Sequence, residues 1–154
     1  MIQIVPLQEP EEKKRAARAV LEALEDWFGI PEAREAYIAK SAGQPFWCAC
    51  DGDKIVGFLY LVETGRDTVE LYVMGVLKAY HRRGIGSALF RAAYEAAKRM
   101  GYAFMQVKTV QMGRYESYDQ TNRFYLSLGF REFEIFPTLW DEWNPCQVYV
   151  MAVQ

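Results

Sequence analysis

The chain has 154 residues, 51% hydrophobic and 25% charged, and a net charge of −2 at neutral pH. That length and balance suit one globular domain, residues 1–154, with a substantial core. They argue against a nucleic-acid partner, which asks for a basic excess, and no apolar run reaches the length of a membrane span. Residues 2–5 suit a short first strand. Met1-Ile2-Gln3-Ile4-Val5-Pro6 provides neither the basic lead nor the apolar core of a signal peptide, so the cytoplasm is the expected compartment. Residues 10–28 read as one helix: Pro10 near its start, Glu11 and Glu12 in the first turn, then Val20, Leu24 and Phe28 along one stripe, with Gly29 as a stop. A second helix follows over 31–40. Residues 46–50 and 54–62 are strand-like around Asp51-Gly52-Asp53, a hairpin signal. A third strand covers 68–76.

The stretch after it carries the strongest signal. In Val76-Leu77-Lys78-Ala79-Tyr80-His81-Arg82-Arg83-Gly84-Ile85-Gly86-Ser87, a strand runs into a glycine turn and then a helix, expected over 87–100 and closed by Gly101. Amides at a helix start lack intrahelical acceptors, and the dipole there favours negative charge. Glycine lets the backbone approach a phosphate closely, and His81, Arg82 and Arg83 add positive charge. The dinucleotide-fold and P-loop patterns do not fit. Further strands are expected over 104–110, 130–136 and 147–153, with a helix over 119–128. The result is a mixed α/β sheet of about seven strands with helices on both faces.

The pattern Val-x-x-x-Tyr-(Gln/Arg)-x-x-Gly-x-Gly resembles the pyrophosphate-binding motif of the GCN5-related N-acetyltransferase (GNAT) superfamily, with His81 in place of the usual Gln or Arg. The element order matches that family along essentially the whole chain. The resemblance implies acetyl-CoA as co-substrate, with no metal, held by His81, Arg82, Arg83, Gly84, Ile85, Gly86 and Ser87 and by the backbone amides of Met74 and Val76 at a bulge near Gly75. A second segment, Asn122-Arg123-Phe124-Tyr125-Leu126-Ser127-Leu128-Gly129-Phe130, resembles the family's Phe-Tyr-x-x-x-Gly-Phe, which implies Tyr125 as the acid or stabiliser for the leaving thiolate. Chemistry agrees: a phenol with a pKa near about 10 can hydrogen-bond to a thiolate. The pantetheine-contacting asparagine of many members is Tyr118 here, leaving Asn122, one turn later, as a weaker substitute.

Glu70 sits in the middle of an apolar strand, alternating with Leu71 so that Glu70, Tyr72 and Met74 share a face. A buried carboxylate is costly unless paired or protonated. Glu70 also falls where the histone-acetylating branch of the family places its general base. It reads either as that base or as a salt-bridged glutamate. The family's acceptor cleft implies residues 27–32, with Phe28, and the segment 137–145, in which Trp140 and Trp143 bracket Asp141 and Glu142. Tryptophan faces and carboxylates both attract cations, which suits a cationic primary amine. The same segment reads equally as a loop over a core end with its tryptophans buried. Cys48 and Cys50 alternate on one strand face and are expected as buried reduced thiols; no metal-ligand pattern is present. A homodimer, where one forms, is expected through the C-terminal strands. The whole reads as an N-acetyltransferase working by direct attack in a ternary complex. The alternative is a non-catalytic acyl-CoA-binding or protein-interaction module of the same fold.

Overall fold

A computed structural model describes residues 1–154. Seven strands form one mixed sheet: β1 (Ile2–Leu7), β2 (Phe46–Asp51), β3 (Lys54–Gly65), β4 (Thr68–Val76), β5 (Phe104–Val110), β6 (Arg131–Phe136) and β7 (Cys146–Ala152). Their spatial order is β1-β2-β3-β4-β5-β7-β6. The helices are α1 (Pro10–Leu21), α2 (Glu25–Phe28), α3 (Pro31–Ser41), α4 (Ile85–Arg99) and α5 (Glu116–Ser127). No helix is long and apolar enough to cross a membrane. The chain divides into two compact units: Met1–Val62 with Leu71–Met100, and Glu63–Glu70 with Gly101–Gln154.

In the first unit, β1, β2 and β3 form an antiparallel ladder with helices on both faces. The even-numbered residues of β2 and β3 supply Phe46, Cys48, Phe58 and Tyr60, which meet Ala16, Ala17, Val20 and Leu21 of α1 and Ile38 of α3 in one buried cluster. Phe46 stacks on Phe58 and Tyr60 at centroid distances of 5.4 and 6.0 Å. The odd-numbered face carries Gly57, whose position lies 3.4 Å from Leu89 of α4 once a Cβ is built there.

The helix expected over 10–28 is two helices. α1 ends at Leu21, and Leu24 takes φ −113° and ψ 60°, outside the helical region. Leu24 is 3% exposed, and its methyl reaches within 2.9 Å of where a Gly75 side chain would begin. Seating that leucine in the core outweighs helix continuity. The close approach of Leu24 and Val20 is by itself a reason for a residue without a Cβ at position 75.

In the second unit, β7 lies between β5 and β6 in antiparallel ladders, and the start of β4 pairs in parallel with β5 through Thr68–Phe104, Val69–Met105 and Glu70–Gln106. β6 is an exposed edge, with an irregular register between Glu132 and Glu134. α5 packs on β5 and starts three residues before the expected 119, because Glu116 and Asp119 both serve its first turn.

Candidate active site

Two constellations carry the chemistry, one in each unit. The first is the turn after β4. Leu77 donates its backbone N–H to the Val56 carbonyl at 2.9 Å, and a short turn (Lys78–Tyr80) follows. The Tyr80 hydroxyl donates to the Asp51 carboxylate at 2.8 Å, which holds the turn to the end of β2. The Arg83 guanidinium lies 4.8 Å from the centre of the Tyr80 ring, so this cation is held in place while remaining exposed. Lys78 pairs with Asp26 at 2.7 Å.

Two left-handed residues then redirect the chain: Arg82 at φ +62° and Gly84 at φ +78°. The second suits glycine; the first is a rare conformation for arginine and marks a backbone held by its surroundings. α4 begins at Ile85 with no side-chain cap, and its first closing bond runs from the Ala88 N–H to the Gly84 carbonyl at 3.0 Å. The amides of Ile85, Gly86 and Ser87 precede that bond and have no intrahelical acceptor. The helix therefore starts two residues earlier than expected, which brings Ile85 and Gly86 into the first turn. Ile85 is 3% exposed and anchors the turn in the core. This cradle of free amides, left-handed backbone and exposed Arg82 and Arg83 fits a phosphate-bearing group.

His81 behaves differently from expectation. Its Nε2–H donates to the Val76 carbonyl at 2.6 Å, and its ring meets Trp27 edge-on at 5.8 Å. The ring thus braces the end of β4 instead of offering that nitrogen to an anion. Met74 and Val76 are half-buried on that strand. Phe28 packs edge-on against Tyr37 at 6.0 Å.

The second constellation surrounds Glu70. Its side chain is 5% exposed and accepts a bond from the Lys108 ammonium at 2.8 Å. A counter-ion at that distance offsets the desolvation of the carboxylate, so Glu70 is salt-bridged, an arrangement that also holds the carboxylate ionised and able to accept a proton. Lys108 was missed in the sequence. The available signal was its alternation with Gln106 in the otherwise apolar β5.

Tyr125, on α5, is 8% exposed, with its ring against Phe124, Phe130 and Tyr149 at 5.8, 5.9 and 6.4 Å. Burial above all, then Tyr118 and the Glu70 charge, pushes its phenol well above the usual range. It is a neutral hydrogen-bond donor across the physiological range. Cys146 is fully buried, and burial pushes its thiol up to about 11, with Lys108 opposing and Glu70 reinforcing.

Asn122 is corrected. It is fully buried, and its amide donates to the Val110 and Tyr118 carbonyls at 2.8 and 2.7 Å while its oxygen accepts from the Tyr149 hydroxyl at 2.6 Å. Both donors are engaged, so the side chain ties α5 to β5 and β7 and has no N–H left for a pantetheine arm. The segment between β6 and β7 is neither of the alternatives in full. Trp140 and Trp143 are 47% and 69% exposed, against the expectation of buried rings. Asp141 is engaged by its own loop: it accepts from the Trp143 and Asn144 amides at 2.8 Å and from the Asn144 side chain at 3.1 Å. Those bonds, the Asn144 side chain first, hold its carboxyl below the ordinary value. Glu142 remains exposed. Cys48 is buried and Cys50 only half-buried, both as free thiols. No group of three or more His, Cys, Asp or Glu side chains is arranged to hold a metal.

Residues 42–132 match the family described as the acetyltransferase (GNAT) domain. N-acetyltransferase 8B of Rattus norvegicus is 28% identical over 105 residues, covering 63% of this chain and 44% of that protein. The chain therefore spans less than half the length of this curated relative. Among solved structures, a GNAT-family acetyltransferase from Desulfovibrio desulfuricans superposes with a TM-score of 0.85 at 18% identity over all of both chains. The ribosomal-protein-S18-alanine N-acetyltransferase of Escherichia coli gives 0.79 at 17% identity, covering all of this chain and 95% of that one. A GNAT-family acetyltransferase from Elizabethkingia anophelis with acetyl-CoA bound gives 0.72 at 18% identity, over 98% and 97% of the two chains. At these identities the shared property is the fold.

Proposed function

Because the chain belongs to the GNAT family of acetyltransferases, we propose that it moves the acetyl group of acetyl-CoA to a primary amine, by direct attack while donor and acceptor are both bound. The observation that carries this reading is the uncapped start of α4 behind the left-handed Arg82–Gly84 turn, within the matched segment. The free amides of Ile85, Gly86 and Ser87, with Arg82 and Arg83, take the pyrophosphate. A neighbour of the same fold holds acetyl-CoA, which supports the choice of donor.

The amine nitrogen adds to the thioester carbonyl, the C–S bond breaks, and CoA leaves as a thiolate. Backbone amides of Met74 and Val76 serve the carbonyl oxygen. Tyr125 serves the sulfur. Its phenol is raised above an ordinary value near about 10, while thiols lie near about 8.5, so complete proton transfer from Tyr125 runs uphill. Its contribution is a hydrogen bond donated to the developing thiolate. Glu70 takes the amine's proton, directly or through water, and Lys108 keeps the carboxylate in place. Cys146 is a poor acyl carrier, since its thiol is buried and stays protonated. The exposed Trp140 and Trp143 rings and Glu142 support a cationic acceptor.

Release of free thiol from acetyl-CoA, measured against a panel of amines, tests this reading. Tyr125→Phe is expected to lower kcat about 10- to 100-fold with acetyl-CoA affinity nearly unchanged. An unchanged kcat removes Tyr125 from the mechanism. Absence of acetyl-CoA binding by the unsubstituted protein overturns the function.

A further inference from the structure

Cys48 and Cys50 lie on one face of β2 with their sulfurs 3.4 Å apart, close to van der Waals contact. Cys48 is 2% exposed in the core, whereas Cys50 is half-buried at the edge of the same cluster. Burial pushes the Cys48 thiol up to about 12, with the Cys50 sulfur and the Glu12 charge acting the same way. Cys48 is therefore protonated at neutral pH, and the two sulfurs share a weak hydrogen bond in which either is the donor.

The ladder is irregular at this place. Ala49 faces Gly57 but Cys50 faces Ile55, so Val56 of β3 is the extra residue. The carbonyl of that extra residue, Val56, accepts the Leu77 N–H at 2.9 Å. The residue after Cys50 is Asp51, whose carboxylate holds Tyr80 at 2.8 Å. Both bonds fasten the turn that precedes α4. The thiol pair thus adjoins the two attachments of the phosphate cradle.

We propose that Cys48 and Cys50 form a reversible intrastrand disulfide, with hydrogen peroxide as the oxidant, and that its closure loosens the turn before α4. The Cys50 sulfur takes one peroxide oxygen, the O–O bond breaks, and water leaves with the thiol proton. The resulting sulfenic acid meets Cys48, held 3.4 Å away, whose raised thiol must lose its proton as it attacks, so contact and not thiolate character drives this slower step. The S–S bond forms, the S–O bond breaks, and a second water departs with the Cys48 proton. Two thiols are oxidised by two electrons and one peroxide is reduced to two waters. Residues i and i+2 of an extended strand lie roughly 6.6 Å apart at Cα, near the upper limit of about 6.8 Å for a disulfide. Closure therefore contracts β2 at Cys50 and draws Asp51 and the Val56 bulge out of place. A bond made under such strain is readily reduced, which makes the change reversible.

The consequence for ligand binding rests on the acetyl-CoA reading above, and the experiment separates the two. The purified protein is treated with hydrogen peroxide, and the peptide carrying both cysteines is weighed after alkylation. Acetyl-CoA affinity is measured by calorimetry before and after, and amide exchange is followed over residues 78–84. The expected result is loss of the two thiol hydrogens, an affinity drop of about tenfold, the loss expected when one positioning hydrogen bond is given up, and recovery with dithiothreitol. Cys50→Ser is expected to bind as the reduced protein does and to ignore peroxide. Sulfinic or sulfonic products without the crosslink overturn the proposal. So does a crosslink that changes neither affinity nor exchange. If the reduced protein binds no acetyl-CoA, the functional reading fails and exchange alone decides: faster exchange on oxidation supports the disulfide device, unchanged exchange sinks it.

Discussion

Glu70 and Lys108 form an asymmetric pair, since the carboxylate is 5% exposed and the ammonium 27%. Removing the ammonium takes the counter-ion from a buried carboxylate, whereas removing the carboxylate leaves a lysine that water can partly solvate. Lys108→Met is therefore expected to cost about 2–4 kcal/mol, and Glu70→Gln about half of that. The double variant recovers part of the loss. A double-mutant cycle in urea checks this, and equal costs for the two single variants would refute the asymmetry. Activity separates the roles further: Glu70→Gln is expected to depress the rate most at low to neutral pH, where the acceptor amine is mostly protonated, and a loss equal at every pH removes the base role. Glu70 stood out in the sequence as a carboxylate in an apolar strand. Lys108 did not, because the two residues meet only when distant segments of the chain form adjacent strands. Tyr125 was legible solely through the Phe-Tyr-x-x-x-Gly-Phe resemblance, since an aromatic pair on a helix otherwise reads as packing. Asn122 misled because a polar residue beside a catalytic candidate looks available, and nothing local announces that Tyr149 and two carbonyls already use it.

At the scale of elements, two glycines fix how closely neighbours approach. A Cβ on Gly75 would meet Leu24 Cδ1 at 2.9 Å and Val20 Cγ1 at 3.0 Å, atoms of side chains that can adjust. A Cβ on Gly57 would meet the Gly75 carbonyl oxygen at 3.0 Å, together with Val76 Cγ2 at 3.3 Å and Leu89 Cδ1 at 3.4 Å. The carbonyl belongs to backbone, so β4 itself must shift. Gly57→Ala is therefore expected to destabilise by about 2–3 kcal/mol and Gly75→Ala by about 1–2 kcal/mol, in the range of overpacked cores. Denaturation midpoints order them, and the reverse order would show that the Val20 and Leu24 side chains are the stiffer obstacle. Strand positions were legible to within a few residues because alternation and turn residues are local signals. The division of residues 10–28 was not, since Val20, Leu24 and Phe28 fit a helical stripe and only the seat beside Gly75 stops Leu24 from continuing it.

Over the whole molecule, protonation of buried neutral groups sets the alkaline limit. Burial raises the Cys146 thiol from an ordinary 9.0 to about 11 and the Cys48 thiol to about 12, and it raises Tyr60 and Tyr125 beyond them. Each folded value lies above its unfolded one. The stabilisation is therefore complete below the unfolded value and is lost as pH rises toward the folded one, because the unfolded chain releases these protons first. On the acid side the lowered carboxyls, Glu35 beside Arg18, Asp51 beside Tyr80 and Asp141 beside Asn144, are held by solvent-accessible partners. Their stabilisation is present above the unfolded carboxylate range and fades as pH falls, with a shallow slope set by screening. The alkaline limb is the steeper one. The urea midpoint is expected to hold steady from about pH 7 to 8.5 and then to fall, with Cys146 alone accounting for roughly 2–3 kcal/mol between about pH 9 and 11. Cys146→Ala leaves a small void and lowers the midpoint throughout, yet its decline above about pH 9 is expected to be flatter than that of the unsubstituted protein. The slope, not the height, carries the test. Parallel declines would mean that the thiol titrates alike folded and unfolded, and that the electrostatic surroundings assigned here to Cys146, Glu70 and Lys108 are wrong.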